Sequence, residues 1–305
     1  MKSLLQQLEQ IEKWGAFYEA SDNRVLEVSG SDSTPFLHRM LSQNIQKQEI
    51  GQFLHSALLD RKGMLLSLFG VLKIRPDGYL FLIQQSLFQK TWDHLKKFKV
   101  MDKVDFVDRS CEYRLLYQVG SGTETVKPSD SYSWKETIYL KPVVGYLIPS
   151  PEIDRFKRNG PSISKEAFDL VRMESGIPEY GVDIDETAIV LEGNLHFAVA
   201  RNKGCYPGQE VVERIFSYGK GRTPKNLCLL TVDEEVQIPA GTIVYDAEGK
   251  EAGKVTSARW HPLKKKLLVL AYLDHKFLKG ELAFKIPPLC QKSLHLAPFP
   301  GNPRN

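Results

Sequence analysis

What most limits the fold of this chain is a change of hydrophobic pattern near Gly221. Upstream, helical and extended periodicities alternate. Downstream, residues 227–273 carry only short strand-like runs: Leu227–Val232, Thr242–Tyr245, Gly253–Ala258 and Leu267–Tyr272, with turns such as Glu248-Gly249 between them. Such runs predict a small barrel or sandwich of about five or six short strands. The Pro-rich stretch from Pro287 to Asn305 predicts a loosely docked tail.

Upstream, Leu4, Leu8, Ile11 and Phe17 or Tyr18 recur at helical spacing, and a short strand fits Val25–Val28. A helix begins near Asp32 or Ser33 with Pro35 in its first turn and Phe36, Leu37, Met40 and Leu41 on one face. Apolar runs at 53–59, 64–74 and 79–83, punctuated by Asp60-Arg61-Lys62-Gly63 and Arg75-Pro76-Asp77-Gly78, predict a meander. A helix fits 86–99, with Lys96, Lys97 and Lys99 at its solvated end, and strands fit 104–107 and 113–119. The Gly-, Ser- and Thr-rich stretch from Gly120 to Lys135 reads as a loop, and 138–148 as a strand. A helix from about Lys165 to Ser175 stops at Gly176, with Pro178 soon after. No internal repeat is present.

Composition narrows the function classes. The 305 residues suffice for two or three compact units, and 42% hydrophobic with 26% charged residues is ordinary for a globular protein. A net charge of +4 and a pI of 8.7 tolerate an anionic ligand, but the basic residues are too scattered to predict nucleic-acid binding. Cysteines stand at 111, 205, 228 and 290 with no C-x-x-C pair, which predicts a reducing compartment without a zinc or stable cluster site. Cys111 and Cys228 lie in or beside apolar strand segments and read as packing residues. The N-terminus turns polar within a few residues and carries Glu9 and Glu12, so neither a signal nor a transit peptide is expected, and no run is long enough to span a membrane. The expectation is a cytoplasmic monomer.

The segment richest in chemistry runs from Asn202 to Arg214. Val211, Val212, Ile215 and Phe216 share one face of a short helix beginning near Pro207 or Gly208, which places Cys205 just before a helix N-terminus with Lys203 two residues away. Both features favour a thiolate. A helix end gives about 0.3–1 kcal/mol, less than one pKa unit, so the local sequence primes Cys205 without making it reactive. From the residues alone, Cys205 is either a primed nucleophile or a small side chain wedged in a tight turn.

The run Lys203-Gly204-Cys205-Tyr206-Pro207-Gly208-Gln209-Glu210 resembles the K-G-C-[FY]-x-G-Q-E signature of the YgfZ branch of the aminomethyltransferase-like, folate-binding proteins. The similarity continues at Arg172-Met173-Glu174-Ser175-Gly176-Ile177-Pro178, at Tyr180-Gly181-Val182-Asp183-Ile184, and at Gly253-Lys254-Val255-Thr256-Ser257. Val28-Ser29-Gly30-Ser31-Asp32 and Leu59-Asp60-Arg61-Lys62-Gly63 fit the N-terminal part less specifically.

This resemblance implies an α+β fold of two mixed lobes around a central channel: an interleaved folate-binding unit over 1–225, with a C-terminal β-barrel and tail over 226–305. It implies tetrahydrofolate as cofactor and iron–sulfur client or assembly proteins as partners, with RNA, through tRNA modification, as a further partner class. Glu174 matches the glutamate that accepts the pterin's paired donors, and Glu192 is a second candidate for that surface. Arg201, Lys203 and Arg214 are candidates for the folate's anionic tail, and Tyr180 or Tyr206 for stacking. Cys205, assisted by Lys203, is the expected reactive group. Ungapped alignment on Lys62-Gly63 puts Ser67 or a neighbour where amine-transferring relatives carry a catalytic aspartate. A one-carbon transferase would need an acid from elsewhere, such as Asp60, in the channel.

Overall fold

The structure, a computed structural model, describes residues 2–121, 127–219, 222–278 and 283–297. Helix α1 (Leu4–Trp14) starts on a capping box, in which the Gln6 amide donates to the Ser3 hydroxyl and the Ser3 amide to the Gln6 side chain. Gly15, at φ +72°, ends it. Phe17 and Tyr18 therefore lie not on the helix but in strand β1 (Ala16–Glu19). Strand β2 (Asn23–Ser29) and helix α2 (Ser33–Met40) follow. The meander forms as β3 (Phe53–Leu59), β4 (Leu65–Arg75) and β5 (Gly78–Gln84), then helix α3 (Gln85–Phe98) and β6 (Asp105–Asp108). These strands pair antiparallel in the order β3-β4-β5-β2-β6, and Phe36, Phe69, Phe81, Phe88 and Leu95 build the core of this lobe.

Strands β7 (Tyr113–Val119), β8 (Tyr132–Glu136) and β9 (Val143–Pro149) join β1 in a second sheet of order β1-β7-β9-β8. One lobe is thus inserted between the first strand of the other and its remaining three. Strand β8 overturns part of the loop expected over 120–135; residues 122–126 of that loop lie outside the described residues. Its polar composition hid an alternation in which Trp134 and Glu136 are buried and Lys135 is exposed. Cys111, read as a packing residue, is exposed in the turn between β6 and β7.

Helices α4 (Ile153–Lys157), α5 (Lys165–Glu174) and α6 (Gln209–Ser217) complete the two lobes. Strands β10 (Lys225–Val232), β11 (Ile243–Tyr245), β12 (Glu251–His261), β13 (Lys266–Asp274), β14 (Ala283–Ile286) and β15 (Cys290–Leu296) close into a barrel of order β10-β13-β12-β11-β14-β15. Strand β15 corrects the expected loose tail. It pairs with β10 at Leu230↔Leu296 and buries Cys290 and Leu294 inside the barrel. The prolines at 287 and 288 precede it instead of interrupting it, and 298–305 lie outside the described residues. Strands β10 and β13 are apolar without alternation because both faces are buried. Leu230, Val232, Leu267 and Val269 fill the barrel, while Leu227, Leu229, Leu268 and Leu270 pack into the core of the lobe that carries α5.

Candidate functional site

A cavity of about 200 Å³ opens between the two lobes. Tyr18, Tyr117, Tyr139 and Phe168 line it from one lobe, and Phe53, His55, Leu68 and Phe69 from the other. Phe168 stacks on Tyr18 with ring centroids 4.4 Å apart and on Tyr117 at 5.3 Å, which makes a flat aromatic wall. Tyr180 closes one side, its phenol pushed up chiefly by burial. Among the expected site residues it is the one that the cavity includes.

Helix α5 supplies the polar floor. With 3.6 residues per turn, Lys165, Asp169 and Arg172 fall within about 60° of one another, and Glu174 stands about 180° from Lys165. The first three line the cavity. Lys165 Nζ lies 2.9 Å from Asp169 and 2.9 Å from Glu179; burial depresses its ammonium, and the bonds to those carboxylates more than offset this, holding it above its ordinary range. Arg172 donates to Asp183 at 2.8 Å and to the Ile177 carbonyl at 2.6 Å, and lies 3.5 Å from Glu179. Its Nε faces Asp169 at 3.6 Å, beyond hydrogen-bond reach, and is a buried donor with no acceptor.

Asp183 ties this floor to the barrel. One carboxylate oxygen accepts from Arg172 and, at 3.0 Å, from the Glu179 amide; the other accepts from the hydroxyls of Thr256 at 2.7 Å and Ser257 at 2.6 Å on β12.

Glu174, expected in the cavity, lies instead on the opposite face of α5 against the barrel. Its carboxylate is 6% exposed, 3.2 Å from His261 Nε2 and in contact with the Lys264 ammonium. Burial pushes it up, but the bonds from His261 and Lys264 outweigh burial and hold it below the ordinary glutamate range. Glu192 is also away from the cavity, at the barrel junction, where it accepts from the Ile189 amide at 3.1 Å. Asp60 spends its carboxylate capping its own turn, accepting from the Lys62 and Met64 amides at 2.8 and 2.9 Å. Ser67 is buried and 2.7 Å from the Thr91 hydroxyl of α3, so Leu68, not Ser67, meets the cavity. The acids that do line it are Asp22, Asp169 and Glu179.

The cysteine loop forms a separate feature on the other lobe, and none of its residues lines the cavity. Lys203 is buried, donating to the carbonyls of His38 and, at 2.6 Å, Leu41; it thereby caps the end of α2. Burial lowers its ammonium to about 8. His38 Nε2 donates back to the Lys203 carbonyl at 2.5 Å. Tyr206 is buried under that ammonium, 4.8 Å from its ring, and its hydroxyl has no partner. Gly208, at φ +82°, packs against the Asp60–Gly63 turn so tightly that a Cβ there would lie 2.5 Å from the Asp60 carbonyl oxygen. Cys205 is exposed at the surface of this braced loop. Arg201 lies over the Phe216 ring at 4.8 Å and 3.7 Å from Glu213, and Arg214 is exposed.

Lys165, Asp169, Arg172, Glu179 and His55 are thus cavity residues that sequence reading did not assign. The available signal was the 165, 169, 172 spacing, which puts three charges on one face of a helix whose other positions are apolar except Glu166 and Glu174. Among the described residues no group of three or more His, Cys, Asp or Glu could hold a metal ion, and no helix is long and apolar enough to cross a membrane.

No family model matches the chain. It is similar to an uncharacterised protein of Haemophilus influenzae, 22% identical over 79% of this chain and 84% of that one. It also resembles two aminomethyltransferases: that of Thermosipho melanesiensis, 22% identical over 84% of this chain and 77% of the relative, and that of Bacillus cytotoxicus, 23% identical over 90% and 83%. The crystal structure of the glycine cleavage system aminomethyltransferase T from Bartonella henselae superposes with a TM-score of 0.83, covering 98% of this chain and 90% of that one at 16% identity. The chain has the aminomethyltransferase fold of two mixed lobes and a closed six-stranded barrel, and its sequence similarity supports a place in the aminomethyltransferase-like superfamily.

Proposed function

We propose that this protein binds a tetrahydrofolate in the inter-lobe cavity and, through Cys205, serves the assembly or repair of iron–sulfur clusters in client proteins. The observation that carries the reading is the aromatic cavity whose floor presents two carboxylates and the acceptor-less Nε of Arg172. A pterin offers an amino group and a ring N–H side by side, with a carbonyl beside them. Asp169 or Glu179 has acceptor capacity left for the first pair, and Arg172 Nε suits the carbonyl. The cavity is smaller than the roughly 300–1,000 Å³ of a pocket that encloses a whole drug-sized ligand, so it takes the ring while the tail leaves it. A neighbouring hollow shares Tyr18, Asp22 and Lys165 and adds Lys157, which pairs with Glu19 at 2.7 Å, so it offers the tail room beside two ammoniums and two carboxylates. Bound tetrahydrofolate would supply amine nitrogens that carry one-carbon units. The protein's own residues orient the ring and exclude water from its faces.

Cys205 stands outside this cavity on an exposed loop, so its counterpart is a client protein and not the folate itself. A second reading, a one-carbon transferase, draws support from Asp22, which brings to the cavity wall the kind of acid that β4 lacks.

An anaerobic calorimetric titration with tetrahydrofolate tests the binding. We expect a micromolar Kd, about −8 kcal/mol. Asp169→Asn and Glu179→Gln should each weaken it by about tenfold or more, the loss of one charged hydrogen bond, with Glu174→Gln close to wild type. No binding by the wild type would end the folate reading, and loss confined to Glu174→Gln would return the pterin to that residue. Cys205→Ser should bind folate normally yet fail to restore iron–sulfur enzyme activity to cells lacking the protein. Restoration by that variant, with loss of function in Asp22→Asn, would favour the transferase.

A further inference from the structure

His55 is a cavity group to which folate binding assigns no role. It projects from β3, opposite α5, with 21% of its side chain exposed. Its Nε2 lies 2.8 Å from Glu136 on β8, in the other lobe, and the second oxygen of that carboxylate accepts from Trp134 Nε1 at 2.9 Å. Burial pushes the Glu136 carboxyl up, but the charge and hydrogen bond of His55 and the bond from Trp134 outweigh it, so Glu136 is an ionised acceptor. Such an acceptor fixes the tautomer: Nε2 carries the proton, and Nδ1 is left to exchange one.

The ring is held in place edge-on by Phe53 at 5.0 Å and Phe197 at 5.2 Å. Phe53 in turn stacks on Trp134 at 4.3 Å. That stack bridges the lobes only because Gly70 and Gly145 lack side chains; a Cβ at either would come within 2.3 Å of a ring. Across the β3–β4 ladder His55 pairs with Gly70, and the next pair on the same face is Ala57 with Leu68. The imidazole therefore stands beside the place on β4 where Leu68 meets the cavity and no acid is present.

We propose that His55, positioned by Glu136, is the proton-exchanging group of this cavity. Its Nδ1 takes up a proton as the ligand binds: the buffer acid's bond to hydrogen breaks, its electron pair stays on the buffer base, and the new N–H forms on the imidazole, whose charge Glu136 balances and which donates to a ligand acceptor. The assignment rests on the cavity being the folate site. From β8, Glu136 faces His55; from β3 itself, Phe53; and from the 3-10 turn at His196–Ala198, Phe197. The other titratable groups around the cavity are Asp22, Lys165, Asp169, Arg172, Glu179 and the tyrosines at 18, 117, 139 and 180. Lys165 and Arg172 are paired with carboxylates, and burial raises the tyrosine phenols. An imidazole is the side chain whose ordinary pKa falls near neutrality.

The test is calorimetric titration of the full chain with tetrahydrofolate in two buffers of different ionisation enthalpy, from about pH 5.5 to 8.5. The wild type should show a buffer-dependent heat that reports proton exchange on binding. His55→Gln should bind with that exchange abolished. Glu136→Gln, which removes the carboxylate that balances the imidazolium, should weaken the exchange. Undiminished exchange in His55→Gln overturns this assignment alone, and so does a Glu136→Gln profile that coincides with wild type. Absence of any wild-type binding overturns the folate reading and the assignment with it.

Discussion

Glu174 and Glu192 are both buried carboxylates with opposite electrostatic consequences. Glu192 has the Ile189 amide as hydrogen-bond donor and Lys225 no closer than 4.0 Å. Burial raises its carboxyl, and those two groups offset it only in part. The folded chain thus holds this proton to higher pH than the unfolded one, and stability falls as pH rises through the folded-state value. Glu192→Gln keeps an oxygen for the Ile189 amide and removes the charge. Its thermal midpoint should lie above that of wild type at pH 7, with the gap closing as pH falls toward about 4, the ordinary glutamate range. A gap that instead widens on acidification would show that Lys225 stabilises the ionised form. For Glu174 the sign reverses, because His261 and Lys264 hold its pKa down: its contribution is present above the ordinary glutamate range and is lost on acidification. Sequence alone could not separate the two glutamates. His261 and Lys264, the partners that hold Glu174 down, sit at the end of β12 and in the turn after it and reach α5 only by the docking of the barrel, while Lys141, before β9, lies 4.0 Å away.

At the scale of elements, the loop before α6 carries a sequence signature in which packing and chemistry are mixed. Lys203 caps α2 from a distance, Tyr206 fills space beneath it, and Gly208 permits contact with the Asp60–Gly63 turn, which leaves Cys205 as the exposed member. Gly208→Ala should destabilise the protein by about 1–3 kcal/mol, since it demands a left-handed conformation of a residue with a Cβ and forces that Cβ onto the Asp60 carbonyl. A denaturation midpoint equal to wild type would mean that the two turns can part freely. The regular elements were legible where their signals are local: the capped helices, the meander with its Gly-containing turns, and the apolar strands of the barrel. Strands β8 and β15 were missed because they are short and polar, and their burial is decided by partners elsewhere in the chain. Pairing with β9 makes Trp134 a core residue, and pairing with β10 and β14 does the same for Leu294.

For the whole molecule, the three stretches that sequence similarity marked around α5 and the barrel meet at one carboxylate. Arg172 comes from the first, Asp183 from the second, and Thr256 with Ser257 from the third. Their roles in the sequence were open, because spacing along the chain does not reveal that four donors converge on Asp183. That convergence makes the barrel a support for the cavity floor: Asp183 holds Arg172, and Arg172 stands against Asp169 and Glu179. Asp183→Ala would leave Arg172 without its closest carboxylate and the Ser257 hydroxyl without its acceptor, while Thr256 keeps the Leu270 carbonyl at 3.1 Å. Breaking a buried ion pair by removing one partner typically costs about 3–5 kcal/mol. We expect a loss of that size in chemical denaturation, together with a transition that separates into barrel and lobe phases. Asp183→Asn, which keeps an acceptor for the hydroxyls, should lose less and remain closer to a single transition. If Asp183→Ala unfolds in one transition within about 0.5 kcal/mol of wild type, the range of an ordinary surface substitution, then the barrel is held by the apolar faces of β10 and β13 alone. The floor of the cavity would then owe its shape to α5 by itself.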